Sequence, residues 1–171
     1  DTILKNVLDL TIDSSGNVFT LSRPDDLYSS NTHICKWSPE GNLLFCNDEV
    51  GVYGTSISHY QDEIIVLQTS SSSTYRKVII LNNTLEEKSD FSYGNGVSSF
   101  YYSQSIAVDQ STGNIFVTYR EFNGRVREYE RVDGLYSSEN YEEIYTNARY
   151  NIAIEVKDDY FYVTGYSYNS Y

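Results

Sequence analysis

Residues that usually carry chemistry are scarce in this sequence. Its 171 residues include no methionine, one tryptophan, two prolines, two cysteines and two histidines. No apolar run approaches the roughly 18 residues of a membrane-spanning helix, and no basic, apolar leader indicates a compartment. Because the chain has no methionine with which to start, we expect it to be a mature or excised piece of a longer protein.

Positive charge is scarce as well. Lys and Arg number 12 against 24 Asp and Glu, so the formal net charge is −12. Such an acidic field repels phosphate backbones, which makes nucleic acid a poor partner. Hydrophobic residues at 40% and aromatic residues at 15% argue against a disordered acidic chain. The length suits one domain with a hydrophobic core.

A repeat runs through the chain. Short runs of Val, Ile, Phe, Tyr and Thr alternate with turn residues, and no 3.6-residue apolar stripe is sustained, which predicts strands almost throughout. Four segments each place an apolar strand, a turn and a second apolar strand in that order. Their anchor residues are spaced by 45, 51 and 46 positions: Ile12, Ile57, Val108 and Ile154. A second column pairs Ile34 with Trp37, Val78 with Leu81, and Val126 with Tyr129.

Four predicted strands in each repeat are typical of a β-propeller blade. We therefore predict an all-β fold of antiparallel four-stranded blades, with a β-sandwich as the alternative. Residues 1–171 form one partial propeller with units at about 7–48, 52–91, 103–145 and 149–171. Closed propellers have about four to eight blades, so we expect a part of a longer chain, two chains that close one ring of about seven blades, or strand exchange along a fibre.

The third repeat carries a family resemblance. It contains Ile106, Ala107, Val108 and Asp109, then Gly113, Asn114, Ile115, Phe116 and Val117, and then Asn123, Gly124, Arg125 and Val126. This order resembles the NHL repeat, and residues 8–46 are similar at Asp13, Gly16 and Asn17. Residues 116–118 also resemble the core of YWTD-type propellers. The NHL resemblance implies a six- or seven-bladed propeller that serves as an interaction platform; some members bind RNA, which the net charge of −12 opposes.

The two cysteines are predicted to pair. Cys35 and Cys46 flank the turn at residues 39–42, and equal counting from that turn places them opposite each other. A directly opposed antiparallel pair has Cα atoms roughly 4.5–5.5 Å apart, close to disulfide range. Two reduced cysteines on a sheet are the alternative. The spacing does not fit a zinc ribbon.

No catalytic constellation is visible in the sequence. His33 and His59 fall at unrelated blade positions, and we expect both to be surface or loop residues. The first strands carry small residues at their channel positions: Thr11, Ser56, Ala107 and Ala153. We predict no enzyme activity and no cofactor; the alternative is a propeller lyase or hydrolase whose active site lies on missing blades. Calcium is the weak alternative for a ligand, at the acidic clusters 25–26, 47–49 and 158–159. Asp13, Asp109 and Glu155 are expected to cap hairpin turns.

Tyrosine is the most abundant aromatic residue, with 18 copies. Tyr129 and Tyr162 are expected to pack within sheets. Others fall in segments that a propeller would gather on one rim: 24–32, 47–54, 92–103, 121–124 and 146–150. We predict a binding surface there, because tyrosine suits contacts with proteins and sugars. Its residues are Arg23, Tyr28, Tyr53, Tyr101, Tyr102, Arg120 and Tyr150.

These observations predict a non-enzymatic, extracellular or cell-surface module that presents an acidic, tyrosine-rich rim to a protein or a glycan. A structural subunit of an exported assembly or fibre, which associates through open blade edges, is another alternative. We predict no nucleic acid partner and no membrane insertion. Asn82 begins a glycosylation sequon, Asn82-Asn83-Thr84, which has meaning only in a eukaryotic secretory route.

The disulfide can be tested chemically. Alkylation of the unreduced protein should leave Cys35 and Cys46 unmodified, because a disulfide offers no free thiol. Alkylation after reduction should modify both residues, and intact-mass spectrometry measures the difference. Two alkylated cysteines in unreduced protein would exclude the disulfide.

Overall fold

The computed structural model describes residues 6–23, 32–48, 54–69, 77–93, 103–119, 124–146, 150–157 and 160–166. The regular elements in these residues are strands, as the sequence predicts. The strands are β1 Val7–Ile12, β2 Val18–Ser22, β3 His33–Trp37, β4 Leu43–Asn47, β5 Gly54–Tyr60, β6 Glu63–Gln68, β7 Lys77–Leu81, β8 Glu87–Ser92, β9 Ser103–Val108, β10 Ile115–Tyr119, β11 Arg125–Tyr129, β12 Tyr141–Tyr145, β13 Tyr150–Lys157 and β14 Tyr160–Tyr166.

The strands form three four-stranded antiparallel sheets and one two-stranded sheet, each in chain order. We call them blade 1 (β1–β4), blade 2 (β5–β8), blade 3 (β9–β12) and blade 4 (β13–β14). The prediction of an all-β fold with four-stranded blades is confirmed. Consecutive blades pack through their first strands, and within the described residues the sheets do not close into a ring. No helix long and apolar enough to cross a membrane occurs in the described ranges.

A bulge in the first hairpin gives the four blades a common register. In every blade, the bulge lets three residues of the first strand span the same distance as two residues of the second strand. Counted from this bulge, equivalent positions in the four first strands form one column: Leu10, Ile57, Ile106 and Ile154. The spacing within this column is 47, 49 and 48 residues. The sequence anchors Ile12 and Val108 lie two positions further along their strands than Ile57 and Ile154, which is why their spacing looked uneven.

The second sequence column is confirmed by the strand pairing. Ile34, Val78 and Val126 each pair with the second strand at the same step of the register. The large residues three positions further on also occupy equivalent places, and their partners are Val18, Ile64 and Ile115. The third strands therefore follow the repeat more strictly than the first strands, because no bulge interrupts their pairing with the second strands.

Side chains alternate along a strand. Neighbouring cross-strand rows of residues therefore face the preceding blade and the following blade in turn. The column of Ile57, Ile106 and Ile154 points toward the preceding blade, and we call this side of a blade its leading face. The column of Phe19, Ile65 and Phe116 points toward the following blade, and we call this side the trailing face. Each trailing residue shares a buried apolar cluster with the leading residue of the next blade, in the order Phe19 with Ile57, Ile65 with Ile106, and Phe116 with Ile154.

A buried polar network joins blade 2 to blade 3. The backbone carbonyl of Tyr93 accepts hydrogen bonds from the Tyr119 hydroxyl (2.8 Å), the Tyr129 hydroxyl (3.0 Å) and Nη1 of Arg127 (3.0 Å). The Arg127 guanidinium also lies 4.3 Å from the ring centre of Tyr141. Burial raises the pKa of Tyr119 well above its usual value and also raises the pKa of Tyr129, so both hydroxyl groups stay protonated donors. The end of blade 2 is thereby held by satisfied polar contacts as well as by apolar packing.

An arginine clamp holds the first turn of blade 3 against blade 2. The Arg131 guanidinium lies 4.8 Å from the Tyr60 ring and 5.6 Å from the Tyr136 ring, and its Nη2 is 2.9 Å from Oε2 of Glu63. The Tyr136 hydroxyl donates to the Gly113 carbonyl at 2.7 Å, and burial raises the pKa of Tyr136 to about 12. Gly113 has a φ of +82°, and a Cβ there would lie 2.9 Å from Arg131 and Tyr60. Only glycine fits beneath this clamp.

The predicted cysteine pair is present as a disulfide, with Cα atoms 4.1 Å apart. Cys35 pairs directly with Cys46 as equal counting predicts, but a bulge then matches Trp37 with Leu43. The same register step carries an ion pair in blade 3, where Arg127 lies opposite Glu143. Blade 1 therefore has a covalent link at a position where blade 3 has an electrostatic one.

The predicted capping column holds at two of its three members. The Asp13 carboxylate accepts from the backbone N–H of Ser15 (2.9 Å) and Asn17 (2.8 Å). Partial burial acts to raise the pKa of Asp13, but the hydrogen bonds from Asn17 and Ser15 outweigh it and lower the pKa. Asp109 caps the equivalent turn of blade 3. Glu155 does not, because β13 continues to Lys157 and pairs Glu155 with Tyr162.

Packing between blades can be tested at one column. We expect Phe116→Ala to lower the free energy of unfolding by about 3–5 kcal/mol, because it empties a buried position that also stacks on Phe161. Tyr162 occupies the same column in blade 4 but is 59% exposed, which differs from its predicted burial within the sheet. Tyr162→Ala is the matched control and should cost less than about 1 kcal/mol. Urea unfolding in dilute solution measures both values, and equal losses would contradict the packing scheme.

Candidate functional site

The first strands of the four blades lie side by side and line a concave surface that we call the central groove. The groove holds a cavity of about 350 Å³ lined by residues of β1, β5, β9 and β13, and of the turn after β9. Its polar side chains are Asp9, Thr11, Ser58, His59, Ser105, Gln110 and Glu155. The sequence predicted only small residues at these positions; the structure corrects this, because the bulges place His59 and two carboxylates in the groove.

A chain of hydrogen bonds connects three of the first strands at their bulges. Oδ2 of Asp9 accepts from the Ser56 hydroxyl (2.6 Å) and from the backbone N–H of Ile57 (3.0 Å). Oγ of Ser56 in turn accepts from the backbone N–H of Ile106 at 3.3 Å. Asp9 and Ser56 therefore join blades 1, 2 and 3 at the floor of the groove, where a role in holding the blades explains their contacts.

Among the groove residues, His59 has the side chain most suited to take part in a reaction. Its Nδ1 lies 2.9 Å from Oγ1 of Thr11, and its backbone carbonyl accepts from Nε2 of Gln110 at 2.7 Å. Burial lowers the pKa of His59, and the nearby charge of Asp13 only partly opposes this effect. The imidazole is therefore neutral near pH 7 and can donate one hydrogen bond and accept another. The sequence placed this histidine at a surface or loop position and missed the groove.

The His59–Thr11 contact falls short of a nucleophile–base arrangement. Such a site needs a third group that orients the base. In the part of the chain that the structure describes, no carboxylate is hydrogen bonded to the His59 ring. His33 lies elsewhere, with Nδ1 2.7 Å from Oδ1 of Asp48. Across the described ranges, no group of three or more His, Cys, Asp or Glu side chains could hold a metal ion; of the acidic clusters, 25–26, 158–159 and residue 49 lie outside those ranges.

The two edges of the blades differ in the segments that they carry. At one edge, which we call the turn edge, short turns such as 13–17, 61–62 and 109–114 connect the strands. At the other, the rim edge, strand ends meet in the pairs Ser22 with His33, Ile34 with Asn47, and Gly54 with Gln68. Six segments outside the described ranges connect strand ends at the rim edge: 24–31, 49–53, 70–76, 94–102, 120–123 and 147–149.

Most of the predicted rim residues lie in these segments. Tyr28, Tyr53, Tyr101, Tyr102 and Arg120 are outside the described residues. Arg23 is half-buried at the end of β2, where its backbone N–H donates to the Asn6 carbonyl at 3.2 Å. Tyr150 begins β13 and pairs through its backbone with Tyr166. The described strand ends thus assign the predicted segments to one edge, while the arrangement of their side chains stays a prediction.

One exposed tyrosine at the rim edge escaped the sequence analysis. Tyr145 ends β12 opposite Arg125 and is 63% exposed. The Arg125 guanidinium lies 5.6 Å from its ring, and Nη1 of Arg125 is 2.9 Å from Oε1 of Glu143. Burial acts to raise the pKa of Glu143, but Arg127 and Arg125 outweigh it, so the pKa is lowered and the pair stays charged. Alternation along β12 does not distinguish Tyr145 from Tyr141, which lies on the same face and is partly buried.

The predicted glycosylation residue lies at the turn edge. Oδ1 of Asn82 accepts from the backbone N–H of Thr84 (2.9 Å), the Thr84 hydroxyl (2.7 Å) and the backbone N–H of Glu86 (2.9 Å). Its Nδ2 donates to Oε2 of Glu86 at 2.8 Å. The side chain therefore organises the turn between β7 and β8, and a glycan there would project away from the rim edge. Modification of Asn82 stays a prediction.

Comparison with known proteins identifies the fold. No family model and no curated protein matches the chain. Solved structures do: BamB from Moraxella catarrhalis (11% identical, TM-score 0.57, 92% of this chain and 43% of that chain), a chain of the mitotic checkpoint complex (10%, 0.60, 93% and 46%) and a chain of a nidogen/laminin complex (11%, 0.55, 93% and 72%). The chain has a β-propeller-type fold, and it spans less than half the length of the first two structures.

The environment of His59 predicts a pH dependence. A lowered folded-state pKa means that the folded protein prefers neutral imidazole, so stability is complete above the usual value of 6.5 and is lost as pH falls below it. His59→Gln should show a smaller loss of unfolding free energy between pH 7.5 and pH 5.5 than the unmodified protein. Thr11→Val should retain the loss, because burial is the main cause of the shift. Equal losses in His59→Gln and the unmodified protein would refute the assignment.

Proposed function

We propose that this chain is an extracellular, non-enzymatic binding module of the NHL type, and that it holds a protein partner at its rim edge. One observation carries the proposal: strand pairing assigns the connections that contain most of the loop tyrosines to a single edge of the blades, and the turn edge carries short turns apart from residues 130–140. These segments contain Tyr28, Tyr53, Tyr75, Tyr101 and Tyr102. Binding residues concentrate on loops that a rigid scaffold positions.

The scaffold beneath the rim edge has the rigidity that such a surface needs. The Tyr93 carbonyl gathers three buried donors at the junction of blades 2 and 3, and Cys35 is covalently linked to Cys46 in blade 1. Close to the rim, Tyr145 and Arg125 offer an aromatic face and a cation side by side. Tyrosine and arginine are the residues most often enriched where proteins bind tightly.

A protein partner is favoured over a glycan for two reasons. The solved structures similar to this chain include chains of a mitotic checkpoint complex and of a nidogen/laminin complex. The pair of Tyr145 and Arg125 also offers charge together with ring area, whereas sugar stacking needs only the ring. Catalysis is not part of the proposal, because in the described residues the His59 ring is bound only to Thr11.

An extracellular location rests on the disulfide. Disulfides form and persist in oxidising compartments, and thiols in the cytosol are kept reduced. The Cys35–Cys46 disulfide joins two directly paired residues in adjacent strands of blade 1. Secretion through a eukaryotic route would also allow glycosylation at Asn82 on the turn edge, away from the proposed binding surface.

The proposal is tested by paired substitutions on opposite edges. A binder is first captured from the medium of the source cells, purified, and titrated against variants by surface plasmon resonance. Tyr101→Ala combined with Tyr102→Ala should weaken binding by about tenfold or more, as loss of central aromatic contacts does, and should leave the melting temperature unchanged.

Tyr160→Ala is the matched control, because Tyr160 is 68% exposed and begins β14 at the turn edge. This variant should bind like the unmodified protein. Unchanged binding by the double variant, or equal loss in the control, would contradict the rim proposal. Binding to a glycan array that the double variant abolishes would instead support the glycan alternative.

A further inference from the structure

The two ends of the blade series repeat columns that are buried inside it. Leu10 belongs to the leading-face column whose other members, Ile57, Ile106 and Ile154, are at most 6% exposed against the preceding blade. Leu10 itself is 53% exposed. The leading face of blade 1 is thus built in the same way as three faces that another blade covers.

The trailing face of blade 4 shows the same relation at the other end. Tyr162 shares its register step with Phe19, Ile65 and Phe116, which are at most 7% exposed beneath the following blade. Tyr162 is 59% exposed, and Tyr160, on the same side of β14, is 68% exposed. An aromatic residue stands here where the other blades use buried Phe or Ile.

Exposed apolar area gathers at these ends. Blade 1 contributes six large hydrophobic residues with more than a third of their surface exposed, and β14 contributes two tyrosines. Those of blade 1 are Val7, Leu8, Leu10, Ile12, Leu43 and Leu44. Contiguous exposed apolar patches of this kind mark surfaces that bind another protein.

Charge also favours these ends as the place where two copies meet. A formal net charge of −12 makes two chains repel each other over most of their surface. The central columns of the leading face of blade 1 are uncharged, since they contain residues such as Leu10, Thr20 and Trp37. On the trailing face of blade 4, Glu155 is balanced by Lys157 across from Tyr160. Two acidic chains can therefore approach there without like-charge repulsion.

We propose that the occupant of these faces is a second copy of this chain, with the trailing face of blade 4 in one copy packed on the leading face of blade 1 in the other. The contact repeats the order found three times within the chain, so Tyr162 lies where Phe19, Ile65 and Phe116 lie in the interior. The described residues of each copy form four sheets, the fourth with two strands, and two such contacts close a ring of eight sheets, within the range of about four to eight known for propellers.

The experiment measures the mass of the 171-residue chain by sedimentation and light scattering between about 1 and 100 μM, where contacts of micromolar affinity become populated. We expect a particle of two chains that does not grow at higher concentration, because a closed ring leaves no free face. A monomer throughout would overturn the proposal and leave the faces to a further blade or a foreign protein. Continued growth into larger particles would overturn ring closure.

Substitutions then locate the contact. Leu10→Lys and Tyr162→Lys should each weaken self-association by more than about tenfold, because Leu10→Lys buries an unpaired charge in the contact and Tyr162→Lys replaces its aromatic ring with a charged chain. Both residues are exposed, so thermal unfolding should show intact folding. Leu135→Lys is the matched control, since Leu135 is 67% exposed and lies between β11 and β12, outside both faces.

Mixing the two variants tests the head-to-tail order. The Leu10→Lys chain keeps its trailing face and the Tyr162→Lys chain keeps its leading face, so together they should form a pair of unlike chains, although each alone is a monomer. A mixture that stays monomeric, or a Leu135→Lys chain that also dissociates, would overturn the assignment. Because neither substitution touches the rim edge, binding of a rim partner succeeds or fails independently of this result.

Discussion

Each blade is a sheet with two apolar faces, and everything else in the structure follows from the need to cover both of them. A half-covered sheet leaves Leu10 or Tyr162 in water, whereas a sheet between two others buries Ile57 on one side and Ile65 on the other. Stacking therefore stabilises a blade through its neighbours rather than through its own interior, as in other repeat proteins. The buried donors on the Tyr93 carbonyl and the Arg131 clamp add direction to a contact that apolar packing alone would leave free to slide.

Stacking also gives the central groove, the turn edge and the rim edge different roles. First strands meet at the central groove, where the polar atoms of Asp9 and Ser56 hydrogen bond across blades 1, 2 and 3. The His59 ring, 2.9 Å from Thr11, lines the same groove. Most turns at one edge are short, and Asp13 and Asp109 cap two of them. Tyrosine accumulates in the segments at the rim edge, where a change of sequence does not disturb the covered faces.

The sequence predicts those parts of the molecule that depend on uninterrupted pairing. The third-strand column follows from the sequence spacing, because no bulge interrupts the pairing of the second and third strands. Equal counting also matches Cys35 with Cys46, although a bulge between Lys36 and Trp37 shifts the register nearer the turn. The first strands carry bulges, and one extra residue changes which face a side chain occupies. This is why the sequence does not predict that His59 lies in the groove. Tyr162 differs from its predicted burial for another reason: its column is buried in blades 1 to 3, but no described blade covers it in blade 4. The Arg131–Glu63 contact joins residues far apart in the chain, and no local pattern encodes it.

The position of the disulfide has a consequence for how the molecule comes apart. In a linear stack, the terminal unit has one neighbour and frays before the middle does. In a single copy, the described residues place one neighbouring blade against blade 1, and its outer strands β3 and β4 are the pair that the Cys35–Cys46 disulfide joins. In the chain-entropy model, a cross-link that closes so short a loop stabilises the folded state by about 3 kcal/mol, because it lowers the conformational entropy of the unfolded chain. Reduction of the disulfide would therefore lower the local stability of blade 1 first, so an oxidising environment stabilises this end of the blade series.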